Sequence, residues 1–272
     1  MMLSAYEENA LLEIRQWKNP DKSWLSSALS AINKPLDLAG DAIMSAPWVG
    51  DILKKIMMGV LELANDAAQW SVDSSAIFKE FRGDGHDVEN LSDISKLDLE
   101  KVDLTVGWLA SKYKGLLAAE GAVAGAVGLP GLAIDVPTLL LGCLRAVGEY
   151  ATYYGFDVNN QKERIYALNV ISFASSPTDT AKAVAMAQLT KISGDIAKKA
   201  TWKELEKSVF VKMVQEIAKQ LGIRLTKSKL AQVVPAMGAV AGGGFNAYYV
   251  SKVCESAHNL YRERFIIEKS NN

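Results

Sequence analysis

The sequence predicts an all-α protein, a single multi-helix domain built around two glycine-rich helical elements. Three observations lead there. Apolar residues recur at helical spacing through most of the chain, as in Leu205, Val209, Phe210, Met213, Ile217 and Leu221. No stretch shows sustained two-residue alternation bounded by turn residues. Two apolar runs, Leu116 to Gly155 and Val233 to Ala257, share the string GAVAG, and each pairs a proline with a glycine-rich segment leading into a helix.

Taken in order, the first helix is expected from Ser4 to Lys18, where Ser4 and Glu7 have the spacing of a capping box. Asn19 and Pro20 end it, and Asp21 caps a second helix bearing Trp24, Leu25, Ala28, Leu29 and Ile32, interrupted by Pro35. A short helix, Leu36 to Ser45, precedes Pro47, which suits the first turn of a long helix from Trp48 to Phe81. Arg82 to Asp87, RGDGHD, reads as a loop. Asp98 to Lys114 is helical and feeds the first glycine-rich element. Helices follow at Asn159 to Phe173, Pro177 to Ile192, Thr201 to Leu221 and Pro235 to Glu268. An N-terminal helical subdomain over residues 1–95 is the alternative to one domain over 1–272.

Gly121 and Gly125 are four apart, as are Gly238 and Gly242, so each pair makes a flat strip on a helix where another backbone can approach. Each glycine costs up to ~1 kcal/mol of helix propensity against alanine, which a packed neighbour must offset. Tight packing inside a protein core is the default reading, and a glycine-lined hairpin against lipid is the sharper one. A spanning helix needs ~20 mostly apolar residues. Pro130 and Gly131 break the run between Glu120 and Asp135, and the uncharged run Ala231 to Ser251 holds Gln232, Pro235, Asn246 and three consecutive glycines. A membrane span is therefore not expected.

With 49% hydrophobic and 22% charged residues the composition is that of a globular chain. Two cysteines, Cys143 and Cys254, exclude a disulfide framework and point to a reducing compartment. The acidic, amphipathic start has no basic leader, so a cytoplasmic protein, peripheral at the inner face of the membrane, is expected. The net charge of −1 hides an asymmetry. Val60 to Leu104 holds eleven acidic and four basic residues, whereas Lys191 to Leu230 holds ten basic and four acidic. The basic stretch, with Lys198, Lys199, Lys203, Lys207, Lys227 and Lys229, suits an anionic membrane surface, where each cation contributes ~1 kcal/mol. It lacks the interleaved aromatic platform of a nucleic-acid binder. The acidic segment, residues 60–104, is a candidate surface for a protein partner.

Catalytic and metal-ligand spacings are absent, and His86 and His258 stand apart, so neither a metal nor a cofactor is expected. Cys143 and Cys254 read as buried free thiols. Asp135, in LAIDVPTLLL, is the polar residue that most needs explaining, since an unpartnered carboxylate there is costly. Capping a helix that begins near Val136 or Pro137 would explain it. Glu163 and Arg164 are expected to form a structural ion pair or a helix-surface contact. If the two glycine-rich elements pack together, Asp135 and Asn246, with Gly125 and Gly242, face one ligand-binding cavity.

The successions G-L-P-G-L-A-I-D-V-P at Gly128 to Pro137, E-Y-A-T-Y-Y-G-F-D at Glu149 to Asp157, E-R-I-Y-A-L at Glu163 to Leu168, V-P-A-M-G-A-V-A-G-G-G-F-N-A at Val234 to Ala247 and A-x3-Y-R-E-R-F at Ala257 to Phe265 resemble the EcsC protein family. The resemblance covers most of the chain after about Tyr6. It implies a bacterial, mostly helical protein, named from an operon that also encodes an ABC transporter, and it brings no catalytic residues with it. The functional expectation is a non-enzymatic, membrane-associated accessory or lipid-binding protein. The alternatives are a hydrolase of amphiphilic substrates with Asp135 as acid or base, and a helical protein-interaction scaffold.

Overall fold

The computed structural model describes residues 3–19, 72–125, 132–176 and 243–271, with isolated positions between 50 and 62, between 183 and 190, and at 223 and 226. The described residues are helical with no strand, so the protein is all-α. The helices expected within residues 20–49, the one at Thr201 to Leu221, and the basic stretch with its six candidate lysines lie outside the described residues, apart from the two helical positions 223 and 226.

Helix α1 spans Ala5–Lys18 and opens on the expected capping box, with Ser4 accepting from the Glu7 amide and Glu7 accepting from the Ser4 amide. The long helix expected to run to Phe81 does not: α2 is a separate helix, Ser74–Gly83, begun by the Asp73 carboxylate on the Ala76 amide. It closes in a Schellman turn, with the His86 amide on the Phe81 carbonyl and Gly85 at φ +85°. A four-residue turn, α3 (Leu91–Ile94), follows. The helix expected over Asp98 to Lys114 is broken at Gly107 into α4 (Leu99–Val106) and α5 (Leu109–Gly125), and α5 runs on into the first glycine-rich element.

Helix α6 (Leu132–Tyr153) holds Pro137 in its interior, where the ring leaves the carbonyl of residue 133 without its usual donor. That ring lies against Gly59, with only 3.0 Å between it and a Cβ built there. A second Schellman turn ends α6, the Phe156 amide bonding the Ala151 carbonyl and the Gly155 amide bonding Thr152. Gly155 stands at φ +84°, and a Cβ there would come within 3.1 Å of the Leu91 carbonyl oxygen, so a side chain is excluded twice over. Helix α7 (Gln161–Ala174) is capped by Asn160. Helix α8 (Gly243–Asn271) is the longest described helix.

Helix α8 is the axis of the molecule: α1, α4, α5, α6 and α7 all pack on it. Helices α5 and α6 pack on it and on each other, and the Leu117 side chain fills the space that a side chain at Gly142 would need. The core they enclose includes Phe81, Leu109, Leu139, Tyr153, Tyr154, Tyr166 and Tyr261, each buried. At a rise of 1.5 Å per residue, α8 from Asn246 to Lys269 is a ruler about 35 Å long, and polar clusters are spaced along it.

Candidate functional site

The first cluster lies at the start of α8. Asn246, on α8, donates from Nδ2 to Asp135 Oδ1 at 3.1 Å, and both side chains are buried. Gly121 of α5 makes this possible: a Cβ there would sit 2.4 Å from the same Nδ2. Three helices therefore meet at an amide, a carboxylate and a missing side chain. Asp135 and Asn246, expected to face one cavity, are instead bonded directly to each other. The expected N-cap role is absent, because α6 begins at Leu132 and places Asp135 inside its first turn. There the carboxylate still faces the positive end of the helix dipole, and Asn246 supplies a donor. Gly125 is the last residue of α5, and Gly242 lies outside the described residues.

Each of the three helices also exposes a large apolar side chain within a few residues of the junction, alongside the exposed Glu120. Ile134, next to Asp135, is 72% exposed, Tyr248, two residues beyond Asn246, is 56% exposed, and Leu116, five residues before Gly121, is 53% exposed. Each comes from a different one of the three helices.

A second cluster, halfway along α8, went unseen in the sequence. A cleft of about 480 Å³ opens between α1, α4, α6 and the face of α8 carrying Cys254, His258 and Arg262. At its base the buried Asp103 carboxylate accepts three hydrogen bonds, from Tyr6 Oη at 2.9 Å, Tyr154 Oη at 2.7 Å and Arg262 Nε at 2.7 Å. Arg262 also reaches Glu13 at 2.7 Å and lies over the Tyr6 ring. Tyr154 Oη is 2.9 Å from His258 Nδ1. Burial, reinforced by the Asp103 carboxylate, pushes the Tyr154 hydroxyl well above its ordinary range, so it keeps its proton. Burial also holds the His258 imidazole below its ordinary value, against the pull of Asp103. Cys254 is pushed up to about 12, chiefly by burial, and is an unreactive thiol. Cys143 and Cys254 are both free and buried, as expected. The i, i+4, i+8 spacing of Cys254, His258 and Arg262 was visible in the sequence, but their partners lie about 100 to 160 residues away along the chain.

A third cluster is structural. Arg264 forms a two-pronged ion pair with Glu163 at 2.8 and 2.9 Å, both side chains buried, and stacks over Phe156 and Tyr166 at 4.0 and 4.3 Å. Glu163 is thus paired across helices and not with Arg164. Arg164 instead donates to the Val158 carbonyl.

Five carboxylates of the acidic segment have structural partners, while Asp73, Asp84, Asp87, Glu89, Asp98 and Glu100 are exposed. Asp73 and Asp93 cap helices, Glu80 accepts from Tyr153, Asp84 accepts from Thr105 at 2.7 Å, and Asp103 anchors the cleft.

Fold and clusters together define an all-α protein in which one helix carries an apolar, amide-bearing end and a polar cleft. Among the described residues it has no group of side chains able to hold a metal and no helix long and apolar enough to cross a membrane. The chain belongs to the EcsC protein family, whose model matches residues 8–266. It is 25% identical over 264 residues to the uncharacterised protein YdbA of Bacillus subtilis (strain 168), covering 95% of this chain and 92% of that one. It is 29% identical over 177 residues to Protein EcsC of the same organism, covering 65% of this chain and 69% of that one. No solved structure matches the chain.

Proposed function

We propose that this protein is a non-enzymatic, membrane-associated accessory protein that meets lipid with the end of the bundle where α5, α6 and α8 converge. One observation carries the reading: the three helices that meet at the buried Asp135–Asn246 junction each expose a large apolar side chain, Leu116, Ile134 and Tyr248. Exposed apolar surface gains by leaving water, at about 25 cal/mol per Å². The stretch from Lys191 to Leu230, which precedes α8 in the sequence, supplies cations for anionic headgroups. The protein would lie on the membrane without crossing it.

One feature weighs against the hydrolase reading. His258 lies twelve residues beyond Asn246, about 18 Å along α8, so Asp135 has no partnership with it for acid–base hydrolysis.

Sedimentation with phosphatidylglycerol-containing vesicles over a salt series tests the proposal. Binding should be present at low salt, weaken as salt rises, and drop when Leu116 and Ile134 are both changed to Glu. Absence of binding at low salt, or binding indifferent to the double change, would overturn it.

A further inference from the structure

We propose that the cleft between α1, α4, α6 and α8 is a binding site for a primary ammonium group, with the Nε2 lone pair of His258 as its acceptor and the Glu13 and Glu255 carboxylates as its counter-charges. The hydrogen-bond chain at the cleft base decides which imidazole nitrogen is available. Asp103 accepts from both Tyr6 and Arg262 on one oxygen and from Tyr154 on the other. The single hydroxyl proton of Tyr154 is thereby committed to Asp103. The Tyr154 oxygen must then accept from His258, which places the imidazole proton on Nδ1. Nε2 is left as a lone pair, and no described residue donates to it. It is not sealed in the core either, since His258 lines the cleft.

Charge and size complete the case. The described lining residues Glu13, Asp103 and Glu255 face one lining cation, Arg262, and Lys252 beside Glu255 adds a second from outside the lining. Three carboxylates against two cations give a formal net charge of −1, with Glu255 paired to Lys252 at 2.9 Å and Asp103 and Glu13 sharing Arg262. A neutral acceptor inside a net negative wall selects a cation that can donate N–H bonds. A quaternary ammonium fails the second requirement and an anion the first. A volume of about 480 Å³ suits a small amine or an ethanolamine headgroup. Burial keeps His258 neutral at pH 7, and the groups facing it are Asp103 from α4, Glu13 and Tyr6 from α1, Tyr150 and Tyr154 from α6, and Arg262 from its own helix. Acidification protonates Nε2 and closes the site.

The test is a ¹⁵N NMR titration of the His258 ring with ethanolamine and, separately, choline at fixed ionic strength. Ethanolamine should move the Nε2 resonance along a saturable curve, and choline should need about tenfold more to do so, for the lost hydrogen bond. Glu255→Gln, at the rim, should weaken ethanolamine several-fold, and His258→Phe should abolish binding if its melting curve shows a folded protein. Equal responses to the two cations, no response, or an unaffected Glu255→Gln would each overturn the proposal. Phosphatidylcholine vesicles with and without phosphatidylethanolamine then distinguish the source. Enhancement by phosphatidylethanolamine that Glu255→Gln removes assigns a lipid headgroup, and ethanolamine binding without enhancement assigns a free amine. Neither Leu116 nor Ile134 lines this cleft, so their double change leaves this titration untouched while removing the anionic-vesicle binding.

Discussion

A side chain at Gly121 would collide with the amide of Asn246, and that one relation carries the contact between α5 and α8 at the junction. Gly121→Ala gains up to ~1 kcal/mol of helix propensity, but it forces Asn246 off Asp135 inside a packed site, at ~1–3 kcal/mol. The expected result is a net loss of about 1–2 kcal/mol in urea unfolding. An unchanged midpoint would show that Asn246 swings aside freely. The Glu163–Arg264 pair sets a second test at this scale. Glu163→Gln leaves a buried guanidinium poorly compensated and should cost about 3 kcal/mol, while Glu163→Leu with Arg264→Met should recover most of that. Of these residues the sequence revealed Asp135 and Asn246, because polar groups inside apolar runs demand partners. The pairing of Glu163 was hidden, because Arg164 beside it offers a nearer charge and Arg264 stands 101 positions on.

At the scale of elements, local signals succeeded where capping chemistry was local. Ser4 and Glu7 marked the start of α1, and α7, capped by Asn160, begins two residues beyond the expected Asn159. Boundaries were missed where the apolar period continued through a break. Ile77 keeps the spacing set by the preceding residues, yet Asp73 turns its carboxylate onto Ala76 and starts a new helix. Asp73→Ala should therefore cost about 1 kcal/mol and speed amide exchange in the first turn of α2; no change in either would make the break a property of the packing alone. Likewise Gly107 divides α4 from α5 although Val102, Val106 and Leu109 keep a helical stripe. Pro137 misled in the opposite sense. Proline most often begins a helix, whereas here it lies inside α6 with its ring on Gly59.

Across the whole molecule, α8 organises the fold, and the Y-R-E-R-F run that carries the family resemblance is where it does so. Arg262 and Glu263 tie α8 to α1, Arg264 ties it to α7, and Lys269 reaches Glu7 at 2.9 Å. These links make stability depend on pH. His258 is held below 6.5 chiefly by burial, so the unfolded chain takes up that proton first, and stability falls as pH drops from about 6.5 through the folded value. Glu7 is lowered from 4.5: burial opposes this, but the Lys269 ammonium and the Ser4 bonds outweigh it. Its contribution is present above about 4.5 and is lost as pH falls through the folded value. Thermal melts should show two successive losses on acidification, and His258→Phe should remove the upper one alone; a single loss below 4.5 would contradict the assignment.

The same axis separates the two ends by about 35 Å, so lipid contact at one end is directly measurable. An environment-sensitive fluorophore on Ile134→Cys should shift its emission to the blue when phosphatidylglycerol vesicles are added, whereas the same label on Glu8→Cys, at the far end, should not. Matching responses at both positions, or none at Ile134, would contradict the placement of the membrane at the α5–α6–α8 junction.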